Sequence, residues 1–188
     1  AEDDPARWPE GTRLVWLNSP GNPDGRVLDT EQLRAGVARA RELGAVIASD
    51  ECYAELNWAG PDPTPSVLDP EVIGDDRSNV LAVYSLSKQS NLAGYRAGIL
   101  AGCRRLIAEV LGVRKHLGLM VPAPIQAAMI AALGDEEHVA AQRERYRARR
   151  ATLSAALVRA GYRIDHSEAG LYLWATKGDD AWARVDEL

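Results

Sequence analysis

The chain has 188 residues, 46% hydrophobic and 26% charged, with 16 Gly, 10 Pro, 2 Cys and a formal net charge of −5. Those fractions exclude a disordered, collagenous or disulfide-built chain, and the length supports one domain or a domain and a half with a real core. The acidic balance argues against nucleic acid or an anionic membrane as main partner, and no apolar run approaches the roughly 18 residues of a membrane span. The acidic opening Ala1-Glu2-Asp3-Asp4 is not expected to act as a signal peptide. Cys52 and Cys103, far apart and without a CxxC motif, suit free thiols in a reducing cytoplasm.

The run Arg13-Leu14-Val15-Trp16-Leu17-Asn18 predicts a buried strand, closed by the turn-rich Ser19-Pro20-Gly21-Asn22-Pro23-Asp24-Gly25. Asp29-Thr30-Glu31-Gln32 predicts a helix start with Asp29 as N-cap. Leu33, Val37, Ala40 and Leu43 follow at helical spacing, and Gly44 ends the helix. Ala45 to Asp50 is a second apolar strand and, after a Pro-rich loop, Val80 to Ser85 a third. Ile99-Leu100-Ala101 is a candidate fourth. Beyond Arg104 the pattern turns helical, broken at Pro122 and Pro124, and Asp135 to Ala160 predicts one long helix ended by Gly161. Tyr162-Arg163-Ile164 and Leu171-Tyr172-Leu173-Trp174 read as strands of a further unit. Strands that do not alternate, interleaved with helices, indicate an α/β protein with a largely parallel sheet.

In open α/β sheets, ligands bind beyond the carboxyl ends of the strands. Three predicted strands end in polar groups there: Asn18 leading to Asn22, then Asp50, then Ser85 leading to Lys88. An amide, a carboxylate, hydroxyls and an amine are thus expected at one sheet edge. Polar residues also begin ordinary loops, so agreement among three strands carries the argument. Only Lys88, Lys115 and Lys177 are lysines, which lets each be judged singly.

The segment Ser85-Leu86-Ser87-Lys88-Gln89-Ser90-Asn91-Leu92-Ala93-Gly94-Tyr95-Arg96-Ala97-Gly98 resembles the lysine signature of the class I/II pyridoxal-phosphate aminotransferases. Small, apolar and small residues precede the lysine, Arg follows eight positions later, and Gly two beyond. Asn18 to Gly25 is similar to that family's Asn-Pro-x-Gly loop, with Asp24 where Thr is commoner. Ser49-Asp50-Glu51-Cys52-Tyr53 is similar to its Asp-x-x-Tyr segment. The order Asn22, Asp50, Tyr53, Lys88, Arg96 agrees with the family throughout, and the resemblance weakens after about Ala160.

The resemblance implies a fold-type I large domain and pyridoxal 5'-phosphate as cofactor. By it, Lys88 forms the Schiff base with the cofactor aldehyde and later moves the α-proton, a task that needs an unprotonated amine. Asp50 pairs with the ring nitrogen, because a buried carboxylate needs a cationic partner. Tyr53 and Asn22 donate to the ring phenolate oxygen, and Asn22 also faces substrate. Ser85, Ser87 and Arg96 hold the phosphate, with Arg96 as a planar charge-assisted donor.

Rival motifs are weaker. Ser85-Leu86-Ser87-Lys88 is also an S-x-x-K sequence, but its S-D-N and K-T-G partners are missing, and a strand is predicted to run into it where a helix should open. His116, His138 and His166 are isolated, so no metal site is expected, and His138 is expected to be solvated. The Arg-rich run Arg143 to Arg150, interleaved with Glu144, reads as a solvated helix face or a subunit contact.

Within the family, Asp50 to Leu56 and Arg114 to Pro124 resemble most the N-succinyldiaminopimelate aminotransferases of lysine biosynthesis. That implies amino transfer from glutamate to N-succinyl-2-amino-6-oxopimelate, in a cytoplasmic homodimer. Alternatives are another aminotransferase or a C–S β-lyase on the same fold, or a catalytically incomplete cofactor-binding module. Residues 1–145 are expected to form part of the large domain, and 146–188 the end of the connecting helix and the start of a small domain. Family members run to roughly twice this length. The phosphate-binding helix and the ring-stacking aromatic are therefore expected before Ala1, and the substrate-carboxylate arginine after Leu188. Arg184, the only Arg after Leu171, does not sit in that motif.

Overall fold

The computed structural model describes residues 4–185. Its centre is a four-stranded sheet in sequence order: β1 (Leu14–Asn18), β2 (Val46–Asp50), β3 (Val80–Ser85) and β4 (Gly98–Gly102). β1, β2 and β3 are parallel, and β4 runs antiparallel to β3. The register sets Asn18 beside Asp50 and Asp50 beside Val83, so the three carboxyl ends meet at one edge.

Helix α1 (Thr30–Glu42) forms because Asp29 and Gln32 close a reciprocal capping box and four residues of one face are buried. Leu33, Val37 and Ala40 of that face pack on Val15, Ile47, Val80 and Ala82 of the sheet. A short helix α2 (Pro70–Ile73), inside the stretch expected to be loop, adds Val72 and Ile73 to the same core. On the opposite face Ala48, Leu81 and Cys103 pack with Leu100, Leu106 and Ile107, the last two from α4 (Arg104–His116).

The expectation of a fully buried first strand is corrected. β1 is an edge strand of this sheet, with Val15 buried and Leu14 and Trp16 exposed on the other face. A one-turn helix α3 (Leu86–Gln89) follows β3 directly. α5 (Ala123–Leu133) and the long α6 (Glu136–Arg159), N-capped by Asp135, complete the helical part. β5 (Arg163–Ile164) pairs antiparallel with β6 (Ala175–Thr176), and a helix α7 (Ala181–Val185) follows. Leu171 to Trp174, expected to be a strand, is not one; its neighbour Ala169 instead bridges to Asn57. Among the described residues, no helix is long and apolar enough to cross a membrane.

Candidate active site

Each parallel strand delivers one loop to the shared edge. After β1, the Asn18 side-chain oxygen accepts from the Asn22 backbone N–H at 2.7 Å. The Ser19 hydroxyl oxygen accepts from the Leu28 N–H at 2.9 Å. Those bonds fold the loop back on itself, with the peptides before Pro20 and Pro23 both cis. The Asn22 amide then donates to the Tyr53 hydroxyl oxygen at 3.5 Å.

After β2 the chain turns tightly: the Ala54 N–H donates to the Glu51 carbonyl at 3.0 Å. One Asp50 carboxylate oxygen accepts from the Cys52 N–H at 3.1 Å. Glu51 points inward, where its carboxylate accepts from the Val67 N–H at 2.8 Å, and burial holds its carboxyl above the usual range. With Glu51 anchored, the turn carries Tyr53, itself buried, back toward Asn22.

After β3, Ser85 caps α3. Its hydroxyl accepts from the Ser87 N–H at 3.1 Å and donates to the Ser87 hydroxyl at 2.8 Å. Lys88 thus lies on a one-turn helix, its Nζ 6.0 Å from the Tyr53 ring centroid. Buried Gln89 accepts from the Tyr84 hydroxyl, which locks that turn to the end of β3. β3 runs into the S-x-x-K sequence as expected, but Ser85 also caps a helical turn, so the missing partner motifs are the argument against that reading.

Asn22, Asp50, Tyr53, Ser85, Ser87 and Lys88 are therefore gathered at one edge. Arg96 is placed differently. Its backbone is left-handed (φ 53°) and its guanidinium donates to the Ala93 carbonyl at 3.1 Å, with no hydrogen bond to either serine. The side chain of Arg184 lies outside the described residues.

Electrostatics follow from burial. The Cys52 thiol is pushed up to about 12, first by desolvation and then by the Asp50 carboxylate beside it. Desolvation, then the neighbouring Tyr172, pushes the Tyr53 phenol up to about 12 as well. Both stay protonated at neutral pH. Asp50, half-buried, forms no ion pair among the described residues.

The sequence model of the family described as aminotransferase class I and II matches residues 2–185. The chain belongs to that family. Similar proteins include the 4-dedimethylamino-4-oxo-anhydrotetracycline transaminase OxyQ of Streptomyces rimosus, 55% identical over 180 residues, covering 95% of this chain and 49% of that protein. The LL-diaminopimelate aminotransferase of Aquifex aeolicus is 31% identical over 163 residues, covering 86% of this chain and 41% of that one. Among solved structures, the N-succinyldiaminopimelate aminotransferase of Mycobacterium tuberculosis superposes with a TM-score of 0.83 at 30% identity, covering 96% of this chain and 47% of that chain. The chain thus spans about half the length of the relatives it matches, or somewhat less.

Class I and II aminotransferases depend on pyridoxal phosphate. The residues present fit that group in kind. Asp50 offers a half-buried carboxylate in no ion pair among the described residues, Asn22 and Tyr53 offer two converging donors, Lys88 an amine, and Ser85 and Ser87 paired hydroxyls at a helix start.

Several contacts at the site were not legible in the sequence. The Arg-rich run is not simply a solvated face. Arg143 donates to the carbonyls of Asn57 (2.7 Å), Gly60 and Pro61, fastening the loop beyond Tyr53 to α6. Arg147 and Arg150 lie over the Trp58 ring at 5.6 and 5.8 Å. Their spacing of four and three residues puts all three on one helix face, the only signal the sequence carried. His138, expected to be solvated, is half-buried and pairs with the capping carboxylate of Asp135 at 3.2 Å. No group of three or more His, Cys, Asp or Glu is arranged to hold a metal ion among the described residues.

Proposed function

We propose that this chain carries the lysine-bearing part of a pyridoxal-phosphate-dependent aminotransferase, with Lys88, Asp50 and Tyr53 as its catalytic groups. The observation that carries the reading is the carboxyl-end edge of the parallel sheet, where the Asp50 carboxylate, in no ion pair among the described residues, shares the edge with an amine that overlooks the Tyr53 ring. When bound, pyridoxal phosphate supplies the electron sink for the charge left on the substrate α-carbon. Lys88 would take up and hand on the substrate α-proton, and its place on a locked helical turn restricts the path that proton travels. Asp50 faces the ring nitrogen and keeps a proton there, the arrangement that most favours electron withdrawal. Asn22 and Tyr53 donate to the ring oxygen, and Asn22 borders the substrate. Ser85 and Ser87 bind the phosphate, joined by Arg96 once its guanidinium turns from the Ala93 carbonyl.

Glutamate is the proposed amino donor and N-succinyl-2-amino-6-oxopimelate the proposed acceptor, supported by the structural likeness to an N-succinyldiaminopimelate aminotransferase. A second acceptor is favoured by the 55% identity to OxyQ, whose name specifies a 4-oxo anhydrotetracycline. The working form is proposed to be a cytoplasmic homodimer whose small domain begins within residues 146–188.

Borohydride reduction of the cofactor-loaded full-length protein, followed by peptide mapping, tests the assignment. The label is expected on Lys88 and absent from Lys88→Ala, whose turnover is lost. Label on Lys115 or Lys177 would overturn it. Half-reaction spectra with the two acceptors decide between them.

A further inference from the structure

We infer that Trp58 is a positioning residue for the Asn22–Tyr53 pair, acting through residues 168–170, which clasp the loops after β1 and β2 to each other. The inference rests on the functional reading above.

At their base the two loops are joined through the sheet, where the Ser19 N–H donates to the Asp50 carbonyl at 3.1 Å. Further out, the Asn22 amide reaches the Tyr53 hydroxyl at 3.5 Å, beyond the usual range of an N–H···O bond and too long to hold the loops by itself. Residues 169 and 170 supply the stronger link. The Ala169 N–H donates to the Gly25 carbonyl and the Gly170 N–H to the Leu56 carbonyl, each at 3.0 Å. Gly25 lies three residues past Asn22 and Leu56 three past Tyr53, so one short segment grips both loops at matching points. Each grip is passed back within its loop. The Gly25 N–H donates to the Gly21 carbonyl, and the Leu56 N–H to the Tyr53 carbonyl, both at 2.9 Å. The fit is close, since Ala169 is wholly buried and a Cβ on Gly25 would stand 2.4 Å from its carbonyl oxygen.

Trp58 holds this segment in place. Its backbone N–H donates to the Glu168 carbonyl at 2.8 Å and its indole N–H to the Gly170 carbonyl at 2.7 Å, one on each side of Ala169. Arg147 and Arg150 of α6 lie over its ring, and Arg150 also donates to the Ser167 carbonyl at 2.7 Å. Gly170, itself buried, is thereby bonded through both its N–H and its carbonyl. Without the indole N–H that carbonyl loses its donor, which loosens the residue that grips Leu56. Asn22 and Tyr53 are the two donors assigned to the cofactor ring oxygen, and the distance between their loops decides whether one oxygen accepts from both. Donation there lowers the basicity of the nitrogen that joins Lys88 to the cofactor, so loosening the clasp should raise it.

The test uses the full-length, cofactor-loaded protein and follows the pH midpoint of the cofactor absorbance band. Trp58→Phe keeps an aromatic ring beneath Arg147 and Arg150 but removes the indole N–H. It is expected to move the midpoint upward by about half a unit, a fraction of the shift in Tyr53→Phe. In a Tyr53→Phe background the same substitution should add a smaller shift, because one of the two groups it positions is gone. Gly44→Ala strains a left-handed residue at the opposite end of β2 from Asp50, so it controls for destabilisation alone and should leave the midpoint unmoved. Arg150→Lys, which weakens the hold on residue 167, should shift the midpoint the same way by less, and it decides the matter if Trp58→Phe does not fold. An unmoved midpoint in folded Trp58→Phe, fully additive shifts in the double variant, or an equal shift in Gly44→Ala would overturn the inference. A parent without a titrating band, or a band that survives Lys88→Ala, would instead overturn the functional reading, and this inference with it.

Discussion

Asp50 and Glu51 are adjacent carboxylates with opposite surroundings. Asp50 stands half-buried at the sheet edge, while Glu51 turns into the protein and bonds a backbone N–H. Replacing Asp50 with Asn keeps the volume and the Cys52 bond but removes the charge. That is expected to leave the melting temperature nearly unchanged and lower kcat by about 10²-fold or more, as loss of a preorganised electrostatic partner does. Steady-state kinetics of the full-length protein would check it; activity within tenfold of the parent removes Asp50 from the assigned role. Glu51 makes a pH prediction. Burial raises its carboxyl, so the folded chain holds a proton that the unfolded chain releases first. Stability then falls as pH rises from about 4.3, the unfolded value, toward the raised folded one. Glu51→Gln removes that titration while keeping an acceptor for Val67. Denaturant titrations across this range should show a smaller fall in the variant than in the parent.

Among elements, the strand-to-loop junctions do the positioning, and glycine enters where two of them meet. Gly25 has φ 74° and a backbone contact with Ala169 that leaves no room for a side chain. Gly25→Ala is expected to cost at least about 1–2 kcal/mol from the left-handed backbone alone, with steric displacement of the backbone at Ala169 in addition. Denaturation midpoints would measure the loss. The exposed Gly44, also left-handed but with open space around it, should lose only the backbone part. Strand ends were readable because apolar runs stop where polar residues begin. The identity of Leu171 to Trp174 was not, because apolar residues in an irregular segment carry the same local pattern as a short strand.

For the whole molecule, apolar exposure is extensive. Trp16 is 58% and Ile130 73% exposed, and neither α4 nor α5 buries any residue fully. β4, α4 and the segment leading into α5 enclose an open cleft of about 580 Å³ lined by Val83, Leu100, Ile107, Leu111 and Met120. Apolar patches of this kind mark surfaces that other polypeptide covers. The 188-residue chain expressed alone is expected to enhance the fluorescence of an apolar-surface dye several-fold over the full-length protein, and to self-associate on gel filtration. A soluble monomer that leaves the dye dark would show that these faces close on themselves.

The fold class, the strand ends, the capping box of α1, the long α6 and the chain order of the site residues were all present in the sequence, because each depends on local periodicity or on a short motif. Asp50 and Lys88 could be placed at one sheet edge because parallel strands must point their carboxyl ends the same way. Only the tertiary structure decided which groups touch. Arg143 reaches the loop beyond Tyr53, and Arg150 the segment at Ser167 and Tyr172, from parts of the chain apart in sequence, through bonds to backbone carbonyls that any residue type would supply. Such contacts leave no pattern along the chain. They exist because the long helix was brought against the loop after β2 and against residues 167–172, where backbone carbonyls needed donors.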